Sequence, residues 1–304
     1  LIWAINNPMN MVGWLINDVQ RFIAASRKIR ILLSEETKIK NPVDGIKPKK
    51  INGEIEFRNV NFEYGYETVL KNINFHIKPG QRVAIFGQTG SGKSTIINLI
   101  ERFYDVTSGE ILIDGVNVKE YDIHALRKNI SISMQDVFLF SNTIEDNIRY
   151  GIPEVENSRI AWAAEMSDAD NFINKLSESY GTIVGERGVG LSGGQKQRIT
   201  LARSIIKDPS ILILDDTTSA LDVETEAVIQ KNLNTIYKDK RTFIIAHRIS
   251  SIKNSDLILV LDNGEIVESG THEELINAHG HYYEVYKEQY GEYIKDTSRR
   301  EEVI

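Results

Sequence analysis

The chain has 304 residues, 41% of them hydrophobic and 26% charged, so it has an ordinary globular composition and can form one large core or two modest ones. A formal net charge of −7 argues against a general nucleic-acid-binding protein, which needs a basic face to neutralise phosphates. The absence of cysteine excludes disulfides, thiol catalysis and cysteine-ligated metals.

A long amphipathic helix is predicted over the first 35 residues. Apolar residues recur there at steps of four and three, from Ile5 through Met9 and Val12 to Ile23. Asparagines interrupt this stripe, so it lacks the run of about 20 apolar residues that crosses a bilayer. The residues alone leave open a packing or oligomerisation helix and the cytosolic end of a transmembrane helix. Because the chain begins at Leu1, we expect a fragment of a longer protein.

Residues 38–50 are expected to form a linker, because Pro42, Gly45 and Pro48 break any helix. Beyond it, short segments with strand character alternate with helical ones. The strand candidates are residues 54–60, 69–77, 82–86, 111–113, 130–133, 211–214, 242–246, 257–261 and 266–268. The helix candidates are residues 94–103, 158–166, 193–207 and 223–237. This alternation predicts an α/β fold with a parallel sheet.

A glycine-rich loop follows the predicted strand at residues 82–86. Residues 87–94 read Gly-Gln-Thr-Gly-Ser-Gly-Lys-Ser, a complete phosphate-binding loop. Its glycines let successive N–H groups turn toward a phosphate, and the following helix directs its positive end at the same group. We expect Lys93 to reach the β- and γ-phosphates and the Ser94 hydroxyl to bind Mg²⁺. The loop therefore predicts a nucleoside-triphosphate site.

Two further stretches accompany this loop. The apolar strand at residues 211–214 ends in Asp215 and Asp216, a pattern that places an acid near Mg²⁺. Residues 191–195 read Leu-Ser-Gly-Gly-Gln and open the predicted helix 193–207, which gives a second helix N-terminus suited to an anion. Taken alone, this stretch is equally an ordinary helix cap with Ser192 as the N-cap residue.

Together these motifs resemble the nucleotide-binding domain of ABC transporters, whose signature is the stretch beginning at Leu191. The resemblance covers residues 51 to about 290. It implies a P-loop NTPase core with a parallel sheet, an antiparallel β-subdomain and a helical signature subdomain, preceded by the long helix.

The same resemblance implies functions for individual residues and makes ATP and Mg²⁺ the cofactors. The nucleotide-binding residues would be Tyr64, which stacks on adenine and has Tyr66 as a competitor, and Gly87, Gly90, Gly92, Lys93, Ser94 and Thr95 around the phosphates. The metal residues would be Ser94, Gln135 and Asp215, and the catalytic residues Gln135, Asp216 and the switch residue His247. The signature comprises Leu191, Ser192, Gly193, Gly194 and Gln195, and the D-loop contains Asp222.

Residues 138–144 and 185–188 resemble segments of exporter-type ABC proteins, the second being similar to a loop that touches the membrane helices. Residues 1–36 resemble the end of the last transmembrane helix of such proteins, which favours that interpretation of the first helix. The expected organisation is the cytosolic end of a transmembrane helix at 1–37, a linker at 38–50, the nucleotide-binding domain at 51–292 and a tail at 293–304. The implied location is the cytoplasmic face of the cell membrane, attached to a transmembrane domain of the same chain.

The resemblance also implies a head-to-tail dimer, in which Ser192 and Gly194 contact the ATP bound by a second nucleotide-binding domain. One residue departs from the family pattern, which usually has Glu after the first carboxylate where this chain has Asp216. That change is typical of the weaker site in heterodimeric exporters, so a heterodimer is favoured. A soluble ABC-type ATPase unrelated to transport, or a binding module without turnover, are the alternatives. A soluble ABC-type ATPase is expected to have a basic face and often a coiled-coil or zinc insertion, and the sequence shows neither. We therefore expect no nucleic-acid partner.

Overall fold

The computed structural model of the chain describes residues 2–152, 154–217, 220–236, 241–245 and 249–290. The chain divides into two compact units, Leu1–Lys40 and Asn41–Ile304. The expected tail at 293–304 lies outside the described residues.

The first unit contains helix α1 (Ile2–Ser34), the helix that the apolar periodicity predicts. Pro8 lies in its interior, where a proline removes one backbone donor from the helix ladder. Apolar side chains along α1 are solvent-exposed, with Met9 68% and Trp14 75% exposed. Among the described residues, no helix is both long and apolar enough to cross a membrane.

The second unit contains the remaining helices and all the described strands. The helices are α2 (Lys93–Ile100), α3 (Ile123–Lys128), α4 (Ile144–Arg149), α5 (Asn157–Met166), α6 (Asp170–Ile173), α7 (Gly193–Ile205), α8 (Val223–Ile236), α9 (Ile249–Ile252) and α10 (His272–Ala278). The strands are β1 (Ile55–Tyr64), β2 (Glu67–Ile77), β3 (Arg82–Gly87), β4 (Ser108–Ile113), β5 (Val116–Asn117), β6 (Ile130–Ser133), β7 (Asn142–Thr143), β8 (Ile183–Val184), β9 (Ile211–Asp215), β10 (Arg241–Ile245), β11 (Leu257–Asp262) and β12 (Glu265–Gly270).

The larger sheet is mainly parallel. Its strand order is β12-β11-β3-β10-β9-β6, and β12 alone among these strands is antiparallel to its neighbour. Along β3, Val83 and Ile85 belong to one core cluster, whereas Ala84 and Phe86 belong to another. Successive residues of a strand point to opposite faces, so this sheet is covered on both sides. That arrangement explains why its strands are almost continuously apolar.

Two further parts surround this sheet. The antiparallel sheet β2-β1-β4-β5 shares one core cluster with α2, which includes Phe57 and Ile97. A third cluster, which includes Ile148, Ile160 and Ile199, joins α4, α5, α6 and α7. The larger sheet is the core, and these two parts are the antiparallel β-subdomain and the helical signature subdomain, so the predicted fold class is confirmed.

Several element boundaries differ from the sequence prediction. The helix predicted at 94–103 ends at Ile100, because the chain turns at Arg102, whose φ of 51° lies in the left-handed region. The strand predicted at 54–60 continues to Tyr64. The strand predicted at 266–268 is β12, which runs antiparallel at the edge of the larger sheet.

The first residues of the second unit are hydrogen-bonded to its body. Asn41 Nδ2 donates to Asp122 Oδ2 over 2.8 Å, and the backbone N–H of Ile123 donates to Asn41 Oδ1 over 2.8 Å. Ile46 forms an isolated parallel bridge with Tyr121. Part of the expected linker therefore packs against the start of α3.

Candidate functional site

The candidate nucleotide site lies where the parallel strands end. Ile245 of β10 lies opposite both Ile85 of β3 and Asp215 of β9, and Ser133 of β6 pairs with the residue before Asp215. Because these strands are parallel, the loops that follow them leave the sheet at one edge. The phosphate loop, the carboxylate pair and the glutamine loop therefore share that edge. His247 lies outside the described residues, shortly after the end of β10.

The phosphate loop connects β3 to α2 and depends on its glycines. Gly90 has a φ of 86° and Gly92, the N-cap of α2, a φ of 106°, both in the region that favours glycine. A Cβ atom at Gly87 would lie 2.2 Å from Leu261 O, and one at Gly92 would lie 2.6 Å from Leu70 Cδ2. The loop therefore passes too close to β11 and β2 to carry side chains at these two positions.

Lys93 begins α2 and is 6% exposed. Its Nζ donates to Gly87 O over 2.8 Å and to Gln88 O over 2.7 Å. Burial lowers the pKa of Lys93, whereas the charges of Asp215 and Asp216 act in the opposite direction. The ammonium group is thus held inside the loop, in the electrostatic range of the carboxylate pair.

Three hydroxyl groups lie beside Lys93. Ser94 is exposed, and Thr95 is 7% exposed. Ser91 is 4% exposed, and its Oγ has no hydrogen-bond partner in the described part of the chain. A buried hydroxyl without a partner is costly, and a phosphate oxygen would satisfy it. Together with the glycine cradle, these groups fit Mg²⁺-ATP.

The carboxylate pair follows β9 in an unusual backbone conformation. Asp215 ends the strand, and Asp216 has a φ of 45°, which non-glycine residues other than Asp and Asn seldom adopt. Both side chains are half-buried. Thr217 Oγ1 donates to Ser133 O over 3.2 Å, which ties this loop to the end of β6. Gln135 is exposed two residues beyond the end of β6.

The signature begins α7 in the helical subdomain. Ser192 Oγ accepts from the Gln195 backbone over 3.3 Å, and Gln195 Oε1 accepts from the Ser192 backbone over 2.9 Å. The ordinary-cap interpretation is therefore correct for the local structure, which is a complete capping box. Ser192 and Gly193 are exposed, whereas Leu191 and Gly194 are half-buried. The first turn of α7 consequently presents its N-terminus to solvent.

The D-loop lies against the start of α7. A Cβ atom at Gly194 would lie 3.2 Å from Ala220 O, and Ala220 donates its N–H to Gln197 Oε1 over 3.2 Å. Asp222 accepts from the backbone N–H of Thr225 over 2.9 Å and from its hydroxyl over 3.0 Å. These bonds lower the pKa of Asp222 and cap the start of α8. The structure thus brings the D-loop and the signature of one chain together.

Tyr64 ends β1 and is surrounded by other aromatic rings. Its centroid lies 4.7 Å from that of Phe62 and 5.0 Å from that of Tyr104, with interplanar angles of 90° and 87°. The competing residue Tyr66 is fully exposed on the adjacent turn. The contact with Tyr104 was not evident from the sequence.

Arg203, which no motif in the sequence indicated, contacts the segment at 138–144 and the helix after it. Its guanidinium donates to Phe138 O over 2.9 Å, to Asn147 O over 2.7 Å and to Asn147 Oδ1 over 2.9 Å. Burial lowers the pKa of Arg203. Arg187 N donates to Leu139 O over 3.1 Å, so the two exporter-like segments lie side by side. The one signal in the sequence for these Arg203 contacts is an arginine on the inward-facing side of α7. Such a position is not distinctive in sequence.

The family described as ABC transporter matches residues 70–219 of the chain. A Staphylococcus aureus protein named as a multidrug export ATP-binding/permease protein is 49% identical over 85% of this chain and 45% of its own length. Multidrug resistance protein 1 of Entamoeba histolytica is 44% identical over 92% of this chain and 22% of its own length. The solved structure of a bacterial Atm1-family ABC exporter with ATP bound superposes with a TM-score of 0.85 at 36% identity, covering 93% of this chain and 50% of that one.

The chain spans about half or less of the length of these relatives. The matched segment begins within β2 and continues through the phosphate loop, the signature and the carboxylate pair to the D-loop. The family match, the level of identity and the superposition agree with the geometry of the strand-end site. The chain therefore carries an ABC transporter ATP-binding domain.

Proposed function

We propose that this chain is the ATP-hydrolysing motor of an ABC exporter. The observation that carries the proposal is the shared sheet edge, where the glycine cradle, the buried Lys93 and the carboxylate pair meet. In this assignment Ser94, Gln135 and Asp215 hold Mg²⁺, and Lys93 neutralises the β- and γ-phosphates. Mg²⁺-ATP supplies the phosphoryl group for hydrolysis, and the protein positions it and stabilises the developing charge.

The test of this proposal is Lys93→Ala, with Lys175→Ala as a matched control at an exposed position of the helical subdomain. Lys93→Ala should lower Mg²⁺-ATP affinity by at least about ten-fold, because it removes the cation that meets the phosphates. Lys175→Ala should bind ATP normally. The measurement is calorimetric titration of the full chain, with circular dichroism to confirm folding. A folded Lys93→Ala protein with unchanged affinity would refute the phosphate-loop assignment.

We further propose that two such domains pack head to tail around ATP. Exposed Ser192 and Gly193 support this, because a helix N-terminus in solvent is free to bind an anion carried by another molecule. The signature belongs to the helical subdomain, whereas the phosphate loop belongs to the core. ATP would then join the two domains, and its hydrolysis would release them and switch the attached membrane helices.

Ser192→Arg distinguishes this arrangement from binding within one chain. A bulky cation at the first turn of α7 should block ATP-dependent association while leaving nucleotide binding by the same chain within about two-fold. Ser177→Arg makes the same change at an exposed position of the helical subdomain and should associate normally. Association is measured by cross-linking in the full-length protein with ATP. An associating Ser192→Arg protein would contradict the head-to-tail arrangement.

The site of this chain is proposed to hydrolyse ATP slowly and to serve a heterodimer. Asp is one methylene shorter than Glu, which withdraws the carboxylate of Asp216 by about 1 Å or more. A general base must lie within about 2.6–3.2 Å of the attacking water, and a displacement of that size costs on the order of 10²-fold in rate. ATP binding should persist, because Lys93, Ser94 and Asp215 are retained.

Asp216→Glu should therefore raise single-site turnover by about ten-fold or more in the full-length protein with the partner's site disabled. Because the φ of 45° at this position favours Asp over Glu, the variant should lose up to about 1 kcal/mol of stability. Asn also tolerates the left-handed backbone at this position but cannot act as a base. Asp216→Asn should therefore hydrolyse ATP more slowly than the wild type. Equal rates for wild type and Asp216→Glu would mean that Asp216 suffices, as in a homodimer.

The membrane assignment is likewise a proposal. Relatives that are about twice as long or longer, and the name of one as an ATP-binding/permease protein, support a transmembrane domain before residue 38. In that arrangement α1 is the cytosolic end of a transmembrane helix and the ATP site lies on the cytoplasmic face. Protease protection of the full-length protein in vesicles of known orientation tests this assignment. Cleavage of residues 51–292 only from the non-cytoplasmic side of the membrane would refute it.

A further inference from the structure

The aromatic group around Tyr64 has a geometry that plain core packing does not require. Tyr64 is 37% and Tyr104 43% exposed, so both rings lie at the surface. Phe62 and Tyr104 each stand nearly perpendicular to the Tyr64 ring, at 90° and 87°. In the described part of the chain, no aromatic ring lies parallel to Tyr64. The edge-to-face contacts are favourable and restrict the ring, yet they leave it without a stacked partner.

The turn that carries Tyr104 is rigidly held. It follows α2, which begins at the phosphate loop. Arg127 donates to Glu101 O over 3.0 Å and to Arg102 O over 2.8 Å, and its guanidinium lies 4.4 Å from the centroid of Phe103. Arg102 is 5% exposed and pairs with Asp105 over 3.0 Å. The half-buried Arg127 therefore holds the backbone before Tyr104, and the buried Arg102 holds the side chain of Asp105 after it.

The same turn is fastened to the strand that carries Tyr64. Thr107 N donates to Asn61 O over 2.9 Å, and Glu63 N donates to Thr107 Oγ1 over 3.0 Å. The position of Tyr104 relative to Tyr64 is thus set by one backbone and one side-chain hydrogen bond of Thr107 as well as by ring contact. The phosphate loop, α2 and this turn are consecutive in the chain, and the turn is hydrogen-bonded to the end of β1.

We infer that Tyr104 is a positioning residue for nucleotide-base binding, because its ring holds Tyr64 in the orientation in which the base stacks. The inference rests on the proposed function, in which Tyr64 receives the adenine. Without the ring of Tyr104, Tyr64 at the end of β1 would lose one of its two perpendicular neighbours and sample other rotamers. Fixing a ring before binding removes an entropic cost from association. The contribution of such an aromatic pair corresponds to about three- to ten-fold in affinity.

The test compares two ligands, Mg²⁺-ATP and inorganic triphosphate with Mg²⁺, by calorimetry on the full chain. Tyr104→Leu should weaken ATP binding about three- to ten-fold and leave triphosphate binding unchanged, because only ATP carries a base. Tyr104→Phe should bind both ligands like the wild type, since the ring of Tyr104 makes its contacts with Phe62 and Tyr64. Tyr66→Leu replaces the competing tyrosine on the neighbouring exposed turn and should change neither affinity. A selective loss of ATP binding in this variant would assign the adenine to Tyr66 and overturn the inference.

A double-substitution cycle separates positioning from general loosening of the fold. Tyr64→Leu should weaken ATP binding at least as much as Tyr104→Leu, and adding Tyr104→Leu to Tyr64→Leu should cause no further loss. Equal weakening of ATP and triphosphate, or full additivity of the two substitutions, would overturn the inference. If Tyr64→Leu alone has no effect, the adenine assignment in the proposed function is wrong. If Tyr64→Leu acts and Tyr104→Leu does not, only the role of Tyr104 fails.

Discussion

Replacing Glu101 by Gln is expected to stabilise the chain at alkaline pH and to change little at acid pH. Glu101 follows the last residue of α2 and is 5% exposed. Burial raises its pKa to about 7, although the charges of Arg127 and Lys207 act in the opposite direction. Its Oε2 atom has no hydrogen-bond partner among the residues that the structure describes. The ionised carboxylate is therefore poorly stabilised in the folded state.

The magnitude follows from the pKa in the two states. The carboxyl group ionises near its ordinary value of 4.5 in the unfolded chain and near about 7 in the folded one. Between these values the folded state keeps a proton that the unfolded state has released, so the free energy of unfolding falls as the pH rises. The complete loss above pH 7 is about 3 kcal/mol. About 2.5 kcal/mol of it falls between pH 5 and pH 8.5.

Urea denaturation of wild type and Glu101→Gln at pH 5 and pH 8.5 measures this difference. Glutamine has the same shape and keeps the backbone carbonyl that Arg127 binds, so the variant should fold normally. Glu67→Gln, a change of the same charge at an exposed position, should follow the wild type at both pH values. The reasoning is refuted if the stabilisation by Glu101→Gln is the same at pH 5 as at pH 8.5.

Two further substitutions test the packing around the site. Gly87→Ala should abolish ATP binding and lower the unfolding midpoint, because its Cβ would lie 2.2 Å from a backbone oxygen. Gly181→Ala, which has open space around the new methyl group, is the control. Normal ATP binding by Gly87→Ala would contradict the close approach. Arg203→Ala should cost about 2–4 kcal/mol in urea denaturation, because it leaves the 1% exposed Asn147 without its charged donor. Arg203→Lys should not restore this stability, since an ammonium group cannot reproduce the forked donors, and full rescue would indicate that charge alone matters.

The strands of the core could be predicted from the sequence, whereas the end of α2 could not. β3 and β9 are short apolar runs between turn residues, and this pattern is set by burial on both faces. The turn after α2 contains neither Gly nor Pro, and residues 101–104 could equally continue a helix. Arg127, 25 residues beyond Arg102, donates to its carbonyl oxygen and so stabilises the turn. Such a tertiary contact overrides local propensity and leaves no local signal.

The site shows the same division between local and distant causes. The phosphate loop could be predicted because its chemistry lies within eight consecutive residues. The cap at Ser192 is also local, since its partner Gln195 is three residues away. The contacts of Tyr104 with Tyr64 and of Arg203 with Phe138 join residues far apart in sequence. His247, outside the described residues, stays a prediction.

The loop between β9 and α8 links the carboxylate pair of one chain to its own signature. Asp216 lies at the start of this loop, and Ala220 near its end donates to Gln197 of α7 and lies against Gly194. The chain segment that starts at Asp216 therefore ends against the first turn of α7. In a head-to-tail pair, that turn serves the ATP of the partner. In the proposed head-to-tail pair the contacts of Ala220 would hold the first turn of α7 whatever the hydrolysis rate at Asp216, so the proposed slow site is compatible with a complete signature.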